Sequence, residues 1–223
     1  MNVARITRAG FAALVVVLAA CGSDGTTDPN TPAAIARVSA DSQKVSVGVP
    51  MAQPLVVVVT GGGGSPLANA EVLWNVLDGG GTFNDSSVTT DAEGHAQVTY
   101  TAGTKPGRAH VMAAIGSLSS TFTLELVVGP AVGLQKFGSD NPAAIVGSTL
   151  SLSVKLVDAF GNGIAGGVVN WTVSGGTISA TTSTTNDGGV ASVNYTTGTT
   201  AGTYTLTATM AGLPPTTFTI KAL

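Results

Sequence analysis

Residues 168–173 read VVNWTV, and residues 71–76 read EVLWNV. In the first stretch the apolar residues alternate with polar ones, and Trp171 lies in the middle of the apolar series. Alternation of period two predicts a β-strand with one buried face. Trp74 holds the corresponding place in the second stretch. Both tryptophans are therefore expected to point into the core of a β-sandwich.

The similarity between the two halves of the chain extends well beyond the tryptophans. TTNDGGVASVNYT at 184–196 corresponds to TTDAEGHAQVTYT at 89–101, and TFTI at 217–220 corresponds to TFTL at 121–124. The offset between matched positions stays between 95 and 97 residues. A fixed offset with matched aromatic residues indicates two copies of one module.

Each copy is predicted to fold as an immunoglobulin-like β-sandwich. No stretch after the N-terminal segment shows a sustained helical period, whereas about seven short strands per copy, separated by turn residues, are typical of this fold. We therefore expect an all-β chain with two tandem domains, at residues 35–128 and 131–223. The aromatic residues predicted to form the two cores are Trp74, Trp171, Tyr100, Tyr195, Phe122 and Phe218.

The second copy also carries a recognisable order of motifs. Alternating residues at 152–157 lead into DAFGN at 158–162, and then come the tryptophan strand, GGT at 175–177 and the glycine turn before Ala191. This arrangement resembles a bacterial Ig-like domain of group 1 (Big-1). The resemblance covers 131–223 well. It covers the first copy less well, because GGGGSP at 61–66 replaces the DAFGN turn there.

This resemblance implies surface display and, in many members, a part in adhesion. Domains of this kind form the stalks of the invasin and intimin adhesins, and many are spacers that bind nothing themselves. The lectin-like tip domain and the outer-membrane barrel of those adhesins are not recognisable in the 223 residues. The resemblance therefore favours a structural or interaction stalk, with a protein or a glycan as its potential surface ligand.

The N-terminal segment is predicted to be a lipoprotein signal peptide at 1–20. Arginines precede an apolar run that is too short for a permanent membrane span. LAAC at 18–21 resembles the lipobox, in which Cys21 becomes acylated and anchors the mature chain in a membrane. Cys21 is the only cysteine. The alternative is an ordinary signal peptide that is cleaved after Ala20 and leaves a free thiol.

Two further expectations follow from the residues after the cysteine. Gly22 stands where an aspartate is associated with retention in the inner membrane, so the outer membrane is favoured as the location. Residues 22–34 are polar and contain no aromatic residue. Together with Cys21 they are predicted to form a flexible linker, at 21–34, between the lipid and the first domain.

Composition argues against several other functions. The formal net charge is −3 and only 9% of residues are charged, whereas nucleic-acid-binding domains present dense basic patches. No motif for nucleophilic, metal-dependent or phosphate chemistry is present, since GGGG at 61–64 is not followed by Lys-Ser/Thr. We therefore predict neither an enzyme nor a cofactor, and a surface position for His95 and His110.

Two weaker alternatives remain open from the sequence. Four acidic residues at predicted turns make a calcium site conceivable, although Asp is also a common turn residue; they are Asp91, Glu93, Asp158 and Asp187. A carbohydrate-binding module is the second alternative. It would need exposed aromatic rings, and the three predicted to lie in loops are Phe83, Phe137 and Phe160.

Overall fold

A computed structural model describes residues 28–140 and 142–223 of the chain. The predicted signal peptide and Cys21 lie outside these residues. Every regular element in the described part is a β-strand, which confirms the all-β fold class. Within the same residues, no helix has the length and apolar character needed to cross a membrane.

The first module contains ten strands. They are β1 (Pro32–Arg37), β2 (Gln43–Ser46), β3 (Leu55–Gly61), β4 (Glu71–Asp78), β5 (Gly81–Phe83), β6 (Ser87–Thr89), β7 (His95–Val98), β8 (Tyr100–Ala102), β9 (Gly107–Ile115) and β10 (Leu118–Val127). Since β1 begins at Pro32, the predicted linker ends earlier than expected. The segment before β1 is tied to the module, because a Cβ atom on Gly61 would lie 1.9 Å from the carbonyl oxygen of Pro29.

The second module contains nine strands. They are β11 (Gly133–Phe137), β12 (Ala143–Ala144), β13 (Thr149–Val157), β14 (Val168–Val173), β15 (Thr177–Ile178), β16 (Thr182–Thr184), β17 (Val190–Thr196), β18 (Gly202–Thr209) and β19 (Thr216–Ala222).

Two facing sheets build each module. In the first module a three-stranded sheet, β1-β3-β7, faces a five-stranded sheet, β2-β10-β9-β4-β6, and β5 pairs with β8. In the second module the sheets are β11-β13-β17-β15 and β12-β19-β18-β14-β16. Sandwiches of this kind bury the apolar face of each sheet against the other. The matching strand orders confirm the tandem immunoglobulin-like arrangement.

The two tryptophans lie at the centres of two separate cores. Trp74 and Trp171 are each 2% exposed, and Tyr100, Tyr195, Phe122 and Phe218 are completely buried. Trp74 packs on Phe122, with ring centroids 6.0 Å apart. Large aromatic side chains contribute most of the apolar area that stabilises a small sandwich. The repeat thus places equivalent rings at equivalent depths in both modules.

Both modules contain more strands than the expected seven, and the first has one more than the second because one of its strands changes sheets. β7 pairs with β3, but after Thr99 the chain continues as β8, which pairs with β5. The Thr99 N–H donates to the Asn84 side-chain oxygen at the break. One strand of the simple sequence pattern therefore appears as two short strands in two different sheets.

The expectation that Phe83 lies free in a loop is wrong. Phe83 ends β5 and packs against the first core, with its ring centroid 5.9 Å from that of Trp74 and 5.6 Å from that of Tyr100. The short β5–β8 pairing holds Phe83 against the core. Its three-residue length left no alternation from which burial could be inferred.

Candidate functional site at the junction of the two modules

The turn at 158–163, which follows β13, has the most concentrated polar chemistry near the point where the two modules meet. We call it the junction turn. Asp158 Oδ1 accepts hydrogen bonds from the backbone N–H groups of Phe160 and Asn162, both at 2.9 Å. Its Oδ2 accepts from the Asn162 side-chain amide at 2.9 Å and from the Gly129 N–H at 3.1 Å. Gly129 belongs to the segment that joins the modules, so one carboxylate binds both the turn and the connection.

The Asp158 carboxylate is stabilised in its charged form. The residue is 2% exposed, and burial alone would raise the pKa of its carboxyl group. The hydrogen bonds from the Asn162 side chain and from the backbone N–H groups of Gly129, Asn162 and Phe160 outweigh burial and hold that pKa below its usual value. A buried carboxylate with four donors is a fixed structural element and not a free ligand group.

The junction turn also contacts the first module directly. The Asn162 side-chain amide donates a second hydrogen bond, at 2.9 Å, to the Thr104 carbonyl oxygen in the loop after β8. The Phe160 ring lies against Gly48, where an added Cβ atom would come within 2.1 Å of the ring. Gly48 has a φ of 69°, a conformation that favours glycine. Hydrogen bonds and a close ring contact therefore connect the two modules.

At the equivalent place the first module has a different turn. Residues 61–65 close a short hairpin in which the Gly61 N–H donates to the Ser65 carbonyl oxygen at 2.9 Å and Gly64 donates back to Gly61. No side chain in this turn corresponds to the Asp158 carboxylate. The glycine run therefore forms a tight hairpin turn.

The remaining acidic residues and the histidines are spread over turns and strand faces. Asp91 Oδ1 accepts from the Glu93 and His95 N–H groups, as a turn residue does. The described residues contain no group of three or more His, Cys, Asp or Glu side chains that could hold a metal ion. Within the described residues, the side chains of Asp91, Glu93, Asp158 and Asp187 therefore do not come together at one site.

One side-chain pairing was not predicted from the sequence. The His110 imidazole Nδ1 lies 2.9 Å from both carboxylate oxygens of Asp78, and the His110 N–H donates to Asp78 Oδ1 at 2.8 Å. The hydrogen bond from the His110 side chain holds the pKa of the Asp78 carboxyl group below its usual value. Desolvation opposes this shift, and the hydrogen bond from the His110 backbone N–H adds to it. The pair joins β4 to β9 at a point where the strand register shifts. The spacing of residues along the chain therefore does not indicate that the two side chains meet.

Few aromatic rings remain exposed for stacking on a ligand. Phe137, at the end of β11, is 54% exposed, and Phe160 is 43% exposed although its ring lies against Gly48. The other aromatic residues named from the sequence, including Phe83, belong to the cores. The described structure therefore does not present a row of aromatic rings for carbohydrate stacking.

The fold and the junction define a tandem immunoglobulin-like protein whose modules are joined by a hydrogen-bonded turn. The chain belongs to the family described as bacterial Ig-like domain (group 1), which it matches in two segments, 38–127 and 139–222. The resemblance inferred from the DAFGN and tryptophan motifs is thus confirmed.

Relatives and solved structures of similar proteins agree with this assignment. The chain is 31% identical, over 170 residues, to the inverse autotransporter adhesin YeeJ of Escherichia coli K12, and the match covers 72% of this chain but 7% of that protein. The structure of the Escherichia coli adhesin FdeC is 20% identical with a TM-score of 0.50, and the alignment covers 88% of this chain and 66% of that one. The adhesin InvE of Yersinia pseudotuberculosis is 17% identical over 86% of this chain and 60% of its own, with a TM-score of 0.46. At 20% identity, the FdeC structure shows a shared fold and no more.

Proposed function

We propose that the chain is a lipid-anchored stalk of the cell envelope whose Ig-like modules support adhesion. The observation that carries this proposal is the junction turn, in which Asp158 and Asn162 connect two complete sandwiches of the bacterial Ig-like family (group 1). A stalk transmits position and force from one module to the next, and a hydrogen-bonded junction suits that task. We assign it no enzymatic activity.

The contacts at the junction favour a stalk with restrained domains over domains that move independently. Domains within one chain move relative to each other unless an interface restrains them. Here the restraint is polar and specific, because the Asn162 amide binds both Asp158 and the Thr104 carbonyl. The YeeJ protein, to which the chain is similar, is named an adhesin. An adhesive role is carried over from that similarity, and we propose a protein or a glycan as the surface ligand.

The proposed anchor is Cys21, which becomes acylated after removal of residues 1–20. Its support is the LAAC stretch at 18–21 and the lack of any other cysteine in the sequence. Several acyl chains on one residue exceed the two signals needed for stable membrane attachment. With Gly22 next to the cysteine, the outer membrane is the proposed location.

Replacement of the cysteine tests the anchor. Cells that express the full chain are fed an alkyne-tagged palmitate, and the membrane fraction is assayed for the labelled protein. Cys21→Ser is expected to abolish labelling and to release the chain from the membrane fraction, whereas the matched control Ser23→Ala should behave like the wild type. Equal labelling of Cys21→Ser and the wild type would contradict lipid attachment at this residue.

The adhesive role needs the modules to face the medium. Proteinase K added to intact cells is expected to degrade the wild-type chain, while a periplasmic protein in the same cells stays intact. Cells that display the chain should then adhere to surfaces or to other cells more than cells that carry Cys21→Ser. A chain that is protected until the outer membrane is broken would contradict adhesion.

A further inference from the structure

We infer that a cleft in the first module, beside the loop that receives the junction turn, binds an acidic sugar unit. The cleft has a volume of about 580 Å³, within the range of roughly 300–1,000 Å³ that is usual for small-molecule sites. The residues that argue for the ligand are Gly80, Thr82, Gly103, Thr104, Lys105 and Arg108. This site goes beyond the proposed stalk function and does not depend on it.

The repeat shows how the cleft is filled in the second module. There the Tyr204 ring lies 2.7 Å from the position that a Cβ atom on Gly175 would take, and 3.4 Å separates its hydroxyl from the same position on Gly198. The Tyr204 hydroxyl donates to the Thr200 carbonyl oxygen at 2.8 Å. The aromatic ring thus covers the glycines at this end of the second sandwich.

The first module has an alanine in place of that tyrosine. Ala109 pairs with Leu124 in the same way that Tyr204 pairs with Ile220. Gly80, the counterpart of Gly175, has Gly103 Cα, at 3.8 Å, as the nearest atom to a Cβ position. Ala109 itself is buried beneath Gly79. The open space lies above Gly80, where no ring occupies the place that Tyr204 takes above Gly175.

The charge of the lining favours an anion. Lys105 and Arg108 are exposed and line the cleft, and no acidic residue is among the described residues that line it. In the second module the counterparts of these cations are Thr200 and Thr203. Arg and Lys side chains form strong charge-assisted hydrogen bonds with carboxylate, sulfate or phosphate groups. The first module thus combines the open cleft with two positive charges that its copy lacks.

Three carboxylates near the cleft have other partners. Glu125 stands opposite Arg108 in the β9–β10 ladder, and its Oε2 lies 3.4 Å from Lys44 Nζ. Asp78 precedes the glycine run, and its oxygens bind the His110 N–H and imidazole. Asp158 lies across the junction and accepts four hydrogen bonds of its own. Among the described residues, none of these three carboxylates forms an ion pair with Lys105 or Arg108.

The remaining lining favours a hydroxyl-rich ligand over a flat apolar one. The cleft offers the hydroxyl groups of Thr82 and Thr104 and the peptide groups of a glycine-rich loop, and no aromatic ring is among its described lining residues. Hydroxyl and peptide groups pair with sugar hydroxyls, while the two cations select the acidic substituent. An acidic sugar unit satisfies both features.

Calorimetric titration of the detergent-solubilised full chain tests the inference. The probes are three oligosaccharides of equal length: one that carries hexuronic acid, one that carries sulfate and a neutral one. An acidic probe is expected to bind and the neutral one is not, and whether carboxylate or sulfate binds better identifies the source of the charge. Lys105→Gln and Arg108→Gln should each weaken binding about tenfold, as the loss of a charged hydrogen bond predicts.

Two further variants distinguish binding in the cleft from a general effect of positive charge on the protein. Lys221→Gln removes an exposed cation from the second module and should leave binding unchanged. Thr82→Trp fills the cleft without altering charge and should abolish binding. Three results would each overturn the inference: no binding of either acidic probe, equal binding of the neutral probe, or equal weakening by Lys221→Gln. Retained binding in Thr82→Trp would do so as well.

Discussion

The two modules have equivalent but separate cores, and they differ in the polar groups around those cores. Trp171 Nε1 donates to the Ser183 hydroxyl at 2.8 Å, whereas Trp74 Nε1 is buried with no hydrogen-bond partner among the described residues. The strand pairing explains this difference. In the second module Ser183 lies opposite Val169, whereas in the first module a valine, Val88, holds the equivalent place opposite Val72. The repeated sequence pattern determines where each tryptophan ring lies. Whether its Nε1 has a hydrogen-bond partner depends on a single residue of the neighbouring strand.

The second difference lies in the turns and the outer faces. The second module has the Asp158 turn and a threonine-rich outer face on β18, while the first has the glycine hairpin at 61–65, and Arg108 and His110 on β9. These differences leave the sheets unchanged. They concern the surfaces at which a module meets its neighbour or a ligand, so we place the specialisation of each copy there.

The largest expected effect tests the shared core. Trp171→Ala should destabilise the second module by about 3–5 kcal/mol, because it removes a buried ring and leaves a cavity. Unfolding of the full chain in denaturant, followed by tryptophan fluorescence from Trp74 and by circular dichroism, measures the two modules. An unchanged midpoint for the second module would contradict its core assignment.

The next effect concerns the junction. Asp158→Ala should destabilise the second module by roughly 1–3 kcal/mol, because it leaves buried N–H donors without an acceptor. Asp187→Ala, at an exposed turn position, is the matched control and should have almost no effect. Equal midpoints for the two variants would show that the carboxylate contributes nothing to stability.

A reciprocal exchange sharpens the comparison of the tryptophans. Ser183→Val should cost about 1–2 kcal/mol, since it leaves the buried Trp171 N–H without a partner. Val88→Ser loses apolar contact but offers an acceptor to Trp74, so its net effect should be smaller than that of Ser183→Val. Thermal unfolding of both variants measures the difference. A larger loss for Val88→Ser would contradict the role given to the Ser183 hydroxyl.

The smallest effect is a pH dependence of the junction. Because the folded pKa of Asp158 is lowered, its stabilising contribution is complete above the unfolded value of about 3.9 and is lost as the pH falls through the folded pKa. The amide resonances of Phe160 and Asn162 should titrate with a midpoint below that value. A midpoint at or above it would show that the hydrogen bonds do not favour the charged form.

The sequence was sufficient for the fold class, since the repeat and the period-two alternation around Trp74 and Trp171 are local signals. It was insufficient for Phe83 and for the Asp78–His110 pair. Phe83 lies in a strand of three residues that pairs across the sandwich, and His110 meets Asp78 through a register shift between distant strands.

The junction shows the same limit. The DAFGN motif predicted a turn at Asp158 and left a calcium site open, but sequence alone did not indicate that its carboxylate binds the Gly129 amide. Likewise the Asn162 contact with Thr104 links residues in different modules. Such contacts depend on how two folded domains pack against each other. The spacing of residues along the chain does not predict that packing.

The central claim is that the junction turn holds the two modules in one arrangement. Pulsed electron resonance tests this with spin labels at Ser119 and Thr182, one exposed strand position in each module, in a chain with Cys21→Ser. We predict a single narrow distance distribution that broadens when Asp158→Ala is added. A distribution that is already broad with Asp158 intact would contradict the account.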